Sequence, residues 1–85
     1  MNIEKLKKAL VGKTLSYYTL DDMMVDFGCL SNIYDSDLIE ISMQTGSTYY
    51  WFNDGGYTLD NKIVVEFDVD EYDDLTIKNI YHERV

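Results

Sequence analysis

The stretch Lys62–Val69, KIVVEFDV, decides the fold. Ile63, Val65, Phe67 and Val69 alternate with Val64, Glu66 and Asp68, which is the period-2 pattern of a strand with one face on a core. Downstream, Asp70–Asp74 is an acidic turn, and Leu75–His82 reads as the returning strand, with Leu75, Ile77 and Tyr81 inward. Upstream, Asn53-Asp54-Gly55-Gly56 is the strongest turn signal in the chain. Before it, Thr48–Asn53 carries Tyr49, Tyr50, Trp51 and Phe52 and reads as a further strand. Two of those aromatics must face each side of a sheet. Either Tyr50 and Phe52 or Tyr49 and Trp51 belong to the core, and the other pair is covered or contacts a partner.

Working towards the N-terminus, Asp37–Gln44 alternates Ile39, Ile41 and Met43 with polar residues, which predicts a strand joined by a Thr45-Gly46-Ser47 hairpin turn. Met23, Val25, Phe27 and Cys29 alternate likewise and predict a strand over Met23–Leu30, against a competing helix-cap signal at Thr19-x-x-Asp22. Thr14–Leu20 is rich in Tyr, Thr and Leu and predicts another strand. Asn2–Val11 is the one predicted helix. Ile3, Leu6, Leu10 and Val11 form its apolar stripe, Asn2 is its cap, and Gly12 ends it in the left-handed conformation. Short connections favour antiparallel pairing. The expected architecture is α+β: one N-terminal helix on an antiparallel sheet of about five or six strands.

The chain has 85 residues, enough for one domain and a small core. Its single cysteine, Cys29, excludes an internal disulfide, and no run approaches the length of a signal core or a membrane span. The expected compartment is a reducing cytoplasm, that of a bacterial host cell. Charge is the strongest functional signal. The net charge is −9, and from Thr14 to Ile77 one base, Lys62, stands against fourteen acids. A field of that sign repels nucleic acid and anionic membrane and attracts basic protein surfaces.

No motif names a reaction. His82 lies near the C-terminus with nothing evident to orient it as a base, and Cys29 falls on a predicted apolar face. Asp68, Asp70, Asp73 and Asp74 lack the glycine and the bidentate Glu of a calcium loop. There is no phosphate-binding glycine loop and no nucleophile elbow. The expectation is a binding protein without metal or cofactor.

On a strand, residues two apart lie about 6.7 Å apart along one face. Glu66, Asp68 and Asp70 form such a row, extended by Asp73 and Asp74, and its spacing is on the scale of nucleic-acid phosphates. Asp21, Asp22 and Asp26 add acids if their turn lies at the same end of the sheet. Tyr72, amid Asp70–Asp74, supplies an aromatic of the kind that stacks on Arg-rich surfaces. Strand-edge acids also keep small domains soluble, which is the alternative reading of the row.

In length, single-domain α+β make-up and acidic rows, the chain resembles the small acidic anti-defence proteins of phages, anti-CRISPR proteins and DNA mimics in particular. The resemblance is one of general character and carries over no residue. It implies a protein partner with a basic nucleic-acid channel, such as an RNA-guided nuclease, blocked by occupation or by arrest of assembly or conformational change. An immunity-type inhibitor of a toxin nuclease would use the same surface. A homodimerising accessory module, joined through its aromatic strand, is the other class.

Overall fold

In a computed structural model, residues 3–83 are described. Helix α1 (Ile3–Leu10) turns its Leu6 and Leu10 into the core and leaves Lys5 and Lys8 exposed. The Asn2 cap lies outside the described residues. Gly12 ends this segment at φ +88°, as its position predicts, and its N–H donates to the Ile77 carbonyl at 2.8 Å. That bond ties the helix to the sheet.

The sheet has four antiparallel strands in the order β1-β4-β3-β2: β1 (Thr14–Leu15), β2 (Ser47–Trp51), β3 (Lys62–Val69) and β4 (Leu75–His82). Three segments read as strands fall largely within two helices, which accounts for the smaller sheet. The first is α2 (Tyr17–Asp26), which takes most of the expected strand Thr14–Leu20 and the first half of Met23–Leu30. Its cap is Ser16, whose Oγ accepts from the Thr19 N–H at 3.2 Å, three residues before the cap signal read at Thr19. Tyr17, Leu20, Asp21 and Met24 are its buried side, a helical i, i+3, i+4, i+7 set. What remains of strand character is a single bridge between Cys29 and Phe52.

The second is α3 (Ser36–Thr45), in place of the strand Asp37–Gln44. The Asp35 side chain caps it by accepting from the Leu38 N–H at 3.0 Å. Ile39 and Met43 pack on the core, Ser42 is its buried residue, and Ile41 points outward. Gly46 has the positive φ expected of a turn, +76°, but as the left-handed cap of α3 and not as a hairpin corner.

The β3–β4 hairpin forms as read, with one change of parity. Glu66 pairs with Asn79 while Phe67 pairs with Ile77, so Lys78 is an extra residue in β4. The bulge shifts the inward set from Tyr81, which is exposed, to Ile80, which is fully buried. Asn79 Oδ1 accepts from the Ile80 N–H at 3.0 Å beside the bulge.

All three helices lie on one face. The core joins Leu6, Leu10, Leu20 and Met24 to Tyr50, Phe52, Ile63, Val65, Phe67, Leu75, Ile77 and Ile80. Among the described residues, no α-helix packs on the opposite face of the sheet. The outward carbonyls of the β2 edge are engaged: that of Ser47 accepts from Thr45 Oγ1, that of Tyr49 from Asn32 Nδ2 and that of Trp51 from the Leu30 N–H.

Candidate functional site

The expected acidic row begins on β3 and ends in the hairpin turn. Glu66 and Asp68 share the open face. Glu66 is half-buried and meets Asn79 Nδ2 at 3.4 Å. Asp68 is exposed and forms a 3.4 Å ion pair with Lys78. Asp70 builds the turn: its Oδ1 accepts from the Tyr72 N–H at 2.8 Å and from the Asp74 N–H at 3.0 Å. Its own N–H donates to the Asp74 carbonyl at 3.0 Å, and Asp73 N–H donates to the Asp70 carbonyl at 3.2 Å. Asp73 adopts φ +62°, a left-handed conformation that Asp tolerates better than most residues. The result is a turn ordered by its own carboxylate that presents Glu71, Tyr72 and Asp73 to solvent. Tyr72 is 78% exposed.

The other three candidates are elsewhere. Asp22 and Asp26 are exposed on α2, in the layer on the far side of the sheet from Glu66 and Asp68. Asp21 is 2% exposed and serves the interior. Its two oxygens accept from Ser31 Oγ and from the Asn32 N–H, each at 2.7 Å, and so fix the loop that follows α2. Beside it, Tyr17 and Thr48 hydroxyls are 2.9 Å apart, and the Tyr50 hydroxyl lies close by. Burial, then the negative potential of Tyr17 and Asp21, raises the Tyr50 pKa far above that of a free phenol.

The four consecutive aromatics divide cleanly. Tyr50 and Phe52 are core. Tyr49 and Trp51 lie on the open face, edge-to-face with ring centroids 6.3 Å apart, and Tyr57 packs on Trp51 at 5.5 Å. Lys62 Nζ sits 4.3 Å from the Tyr49 ring centre and 5.7 Å from that of Trp51, while pairing with Glu83 at 2.7 Å. Cross-strand register completes the face with Tyr49–Val64–Tyr81 in one row and Ser47–Glu66–Asn79 in the next. This cluster is the feature that the acidic row overshadowed in the sequence. Its signals were the aromatic run and the one base within the acidic stretch.

Little in this geometry favours covalent chemistry. Cys29 is buried, and burial pushes its thiol from an ordinary 9.0 to about 12. His82 packs against Phe52, with ring centres 6.1 Å apart. A shallow depression of about 440 Å³ lies beside the row, lined by Gln44, Thr45, Glu66, Asp68 and Lys78 among others, with no Cys or His in its wall. Among the described residues no three His, Cys, Asp or Glu side chains are grouped as metal ligands, and no helix is long and apolar enough to cross a membrane. Comparison with protein-family models, curated proteins and solved structures finds no match.

Proposed function

We propose that the chain is an acidic inhibitor that engages a basic, nucleic-acid-binding protein through the tip of the β3–β4 hairpin. The observation that carries this reading is the turn at Asp70. One carboxylate orders the loop from within, so the backbone that carries Glu71, Tyr72 and Asp73 is already set and loses little freedom on binding. An exposed tyrosine between acids suits an arginine-lined groove, where carboxylates pair with guanidinium groups and the ring stacks on them. Glu66 and Asp68 continue the negative strip along the sheet. Tyr18, Tyr34 and Tyr57 are also strongly exposed and stand within four residues of acids, so the same chemistry recurs around the molecule.

A partner of this kind is a nuclease whose channel holds phosphates. An anti-CRISPR-type blocker of an RNA-guided nuclease is the reading in view, and an immunity-type inhibitor of a toxin nuclease shares its surface chemistry. The test is a pull-down from bacterial lysate with salt-stepped elution and mass spectrometry. A nuclease or other nucleic-acid-handling protein released at moderate salt is expected, because exposed charge pairs are screened. The combined change Glu71→Lys, Tyr72→Ala and Asp73→Asn should abolish capture, and Asp22→Lys with Asp26→Lys should leave it intact. Capture that survives the first set places the contact elsewhere.

A further inference from the structure

We propose that the open face of the sheet is a homodimer contact, on which a second copy of this chain stacks about a two-fold axis. This inference does not rest on the hairpin tip, although it uses Glu66, which the proposed partner strip also includes. The face is apolar at its centre. Val64 is only 8% exposed although no helix covers it, because Tyr49 and Tyr81 flank it across the strands. Trp51 and Tyr57 extend the patch.

The face is also where charge is best balanced. Lys62 answers Glu83 and Lys78 answers Asp68, which leaves Glu66 as its one acid with no ion pair among the described residues. Two copies at −9 each repel over most approaches, and least over this surface.

The register makes the surface self-complementary. Along the strands the rows run Trp51–Lys62, then Tyr49–Val64–Tyr81, then Ser47–Glu66–Asn79. An antiparallel two-fold centred on Val64 stacks the middle row on its own copy. It sets Lys62 of each chain opposite Glu66 of the other, across the ~10 Å at which sheets pack face to face. Each unpaired Glu66 thereby gains a cation. Three strands at ~4.8 Å spacing and five residues at ~3.4 Å rise give a face of roughly 250 Å². That is about a third of the ~800 Å² per partner of a standard interface, so the dimer is weak and is sought over roughly 0.1–1 mM protein.

The experiment is sedimentation equilibrium over that range, read together with the emission of Trp51, the only tryptophan. The apparent mass should climb towards twice the monomer and the emission should move to shorter wavelength. Added salt should change the association little, because it screens the net repulsion and the Lys62–Glu66 pairs alike, whereas it weakens a charge-driven complex with a basic protein. Lys62→Glu sets acids against acids and Glu66→Lys sets bases against bases, so each variant alone should stay monomeric. Mixed in equal amounts, the two should form a heterodimer, since every facing pair is then opposite in sign. A wild-type chain that remains monomeric at 1 mM with unchanged Trp51 emission overturns the proposal. So does a folded pair of variants that dimerise alone or fail to dimerise when mixed. Should Lys62→Glu not fold, the wild-type series decides alone.

Discussion

The Asp21 carboxylate receives the Ser31 hydroxyl at 2.7 Å inside the protein, while its chain neighbour Asp22 faces water. Two adjacent acids, identical in sequence terms, therefore do different work. Asp21→Ala removes the acceptor for Ser31 Oγ and for the Asn32 N–H and strands both donors. It should cost about 2–3 kcal/mol, in the range for hydrogen bonds to a charged group. Asp22→Ala should stay within about 0.5 kcal/mol of wild type. Urea unfolding of the two variants reads the contrast, and equal losses would contradict the assignment.

Gly46 should be the least replaceable of the α3–β2 junction residues. Its φ is +76°, and a Cβ there would lie 2.9 Å from the Phe67 carbonyl oxygen, a backbone atom that cannot swing aside. Gly12 has a similar φ, +88°, but open space where its Cβ would go. Gly12→Ala should cost about 1 kcal/mol from the left-handed conformation alone. Gly46→Ala should exceed it clearly in thermal or urea unfolding, because strain and collision add.

The bulge at Lys78 makes a sharp prediction about its neighbours. Ile80→Ala should destabilise by about 2–4 kcal/mol, as expected for a large aliphatic side chain in a core. Tyr81→Ala should cost much less, about 1 kcal/mol or below, although strict alternation from Leu75 assigns the core position to Tyr81. A reversed order in chemical denaturation would place the extra residue elsewhere in β4.

Alkaline pH should weaken the fold. The Cys29 thiol is raised from 9.0 to about 12 by burial, and the Tyr50 hydroxyl is raised as well. Both groups are held protonated in the folded state, and in the unfolded chain they ionise at ordinary values. Their contribution is therefore complete below pH about 9 and is lost as pH rises towards 12, at up to about 1.4 kcal/mol per pH unit for each group. The urea midpoint followed from pH 8 to 11 should fall, and Cys29→Val should make the early part of that fall shallower. In native protein at neutral pH, a thiol-reactive dye should label Cys29 only as fast as the chain opens.

What the sequence conveyed follows from where polar residues sit relative to the core. The β3–β4 hairpin was legible because KIVVEFDV keeps its apolar positions strictly on one side, and α1 because Leu6 and Leu10 repeat at helical spacing. The helices α2 and α3 were hidden by one polar residue at the centre of each buried side, Asp21 and Ser42. With Ser42 read as exterior, Ile39, Ile41 and Met43 alternate and imitate a strand, and with Asp21 read as exterior the Tyr- and Thr-rich start of α2 and the alternation from Met23 do the same. Asp21 is inside because Ser31 and Asn32 satisfy it, and no local pattern announces a partner ten residues away. Of the acidic row, the strand part could be placed from alternation. The division between Asp70, which holds the turn, and Glu71 and Tyr72, which it displays, depends on backbone geometry that composition does not encode. The partition of Tyr49 to Phe52 was anticipated as a choice between two pairs, and the phase of the β2–β3 register makes it.

The occupied margin of β2 bears on how this chain behaves at high concentration. Lateral growth of a sheet into a fibril begins when an incoming strand finds a row of vacant acceptors. At Ser47, Tyr49 and Trp51 those acceptors are already engaged by Thr45, Asn32 and Leu30, all supplied by the same molecule. A strand rich in aromatic and β-branched residues thereby offers an incoming strand no vacant carbonyl at these three positions, half of the ladder that lateral stacking would need.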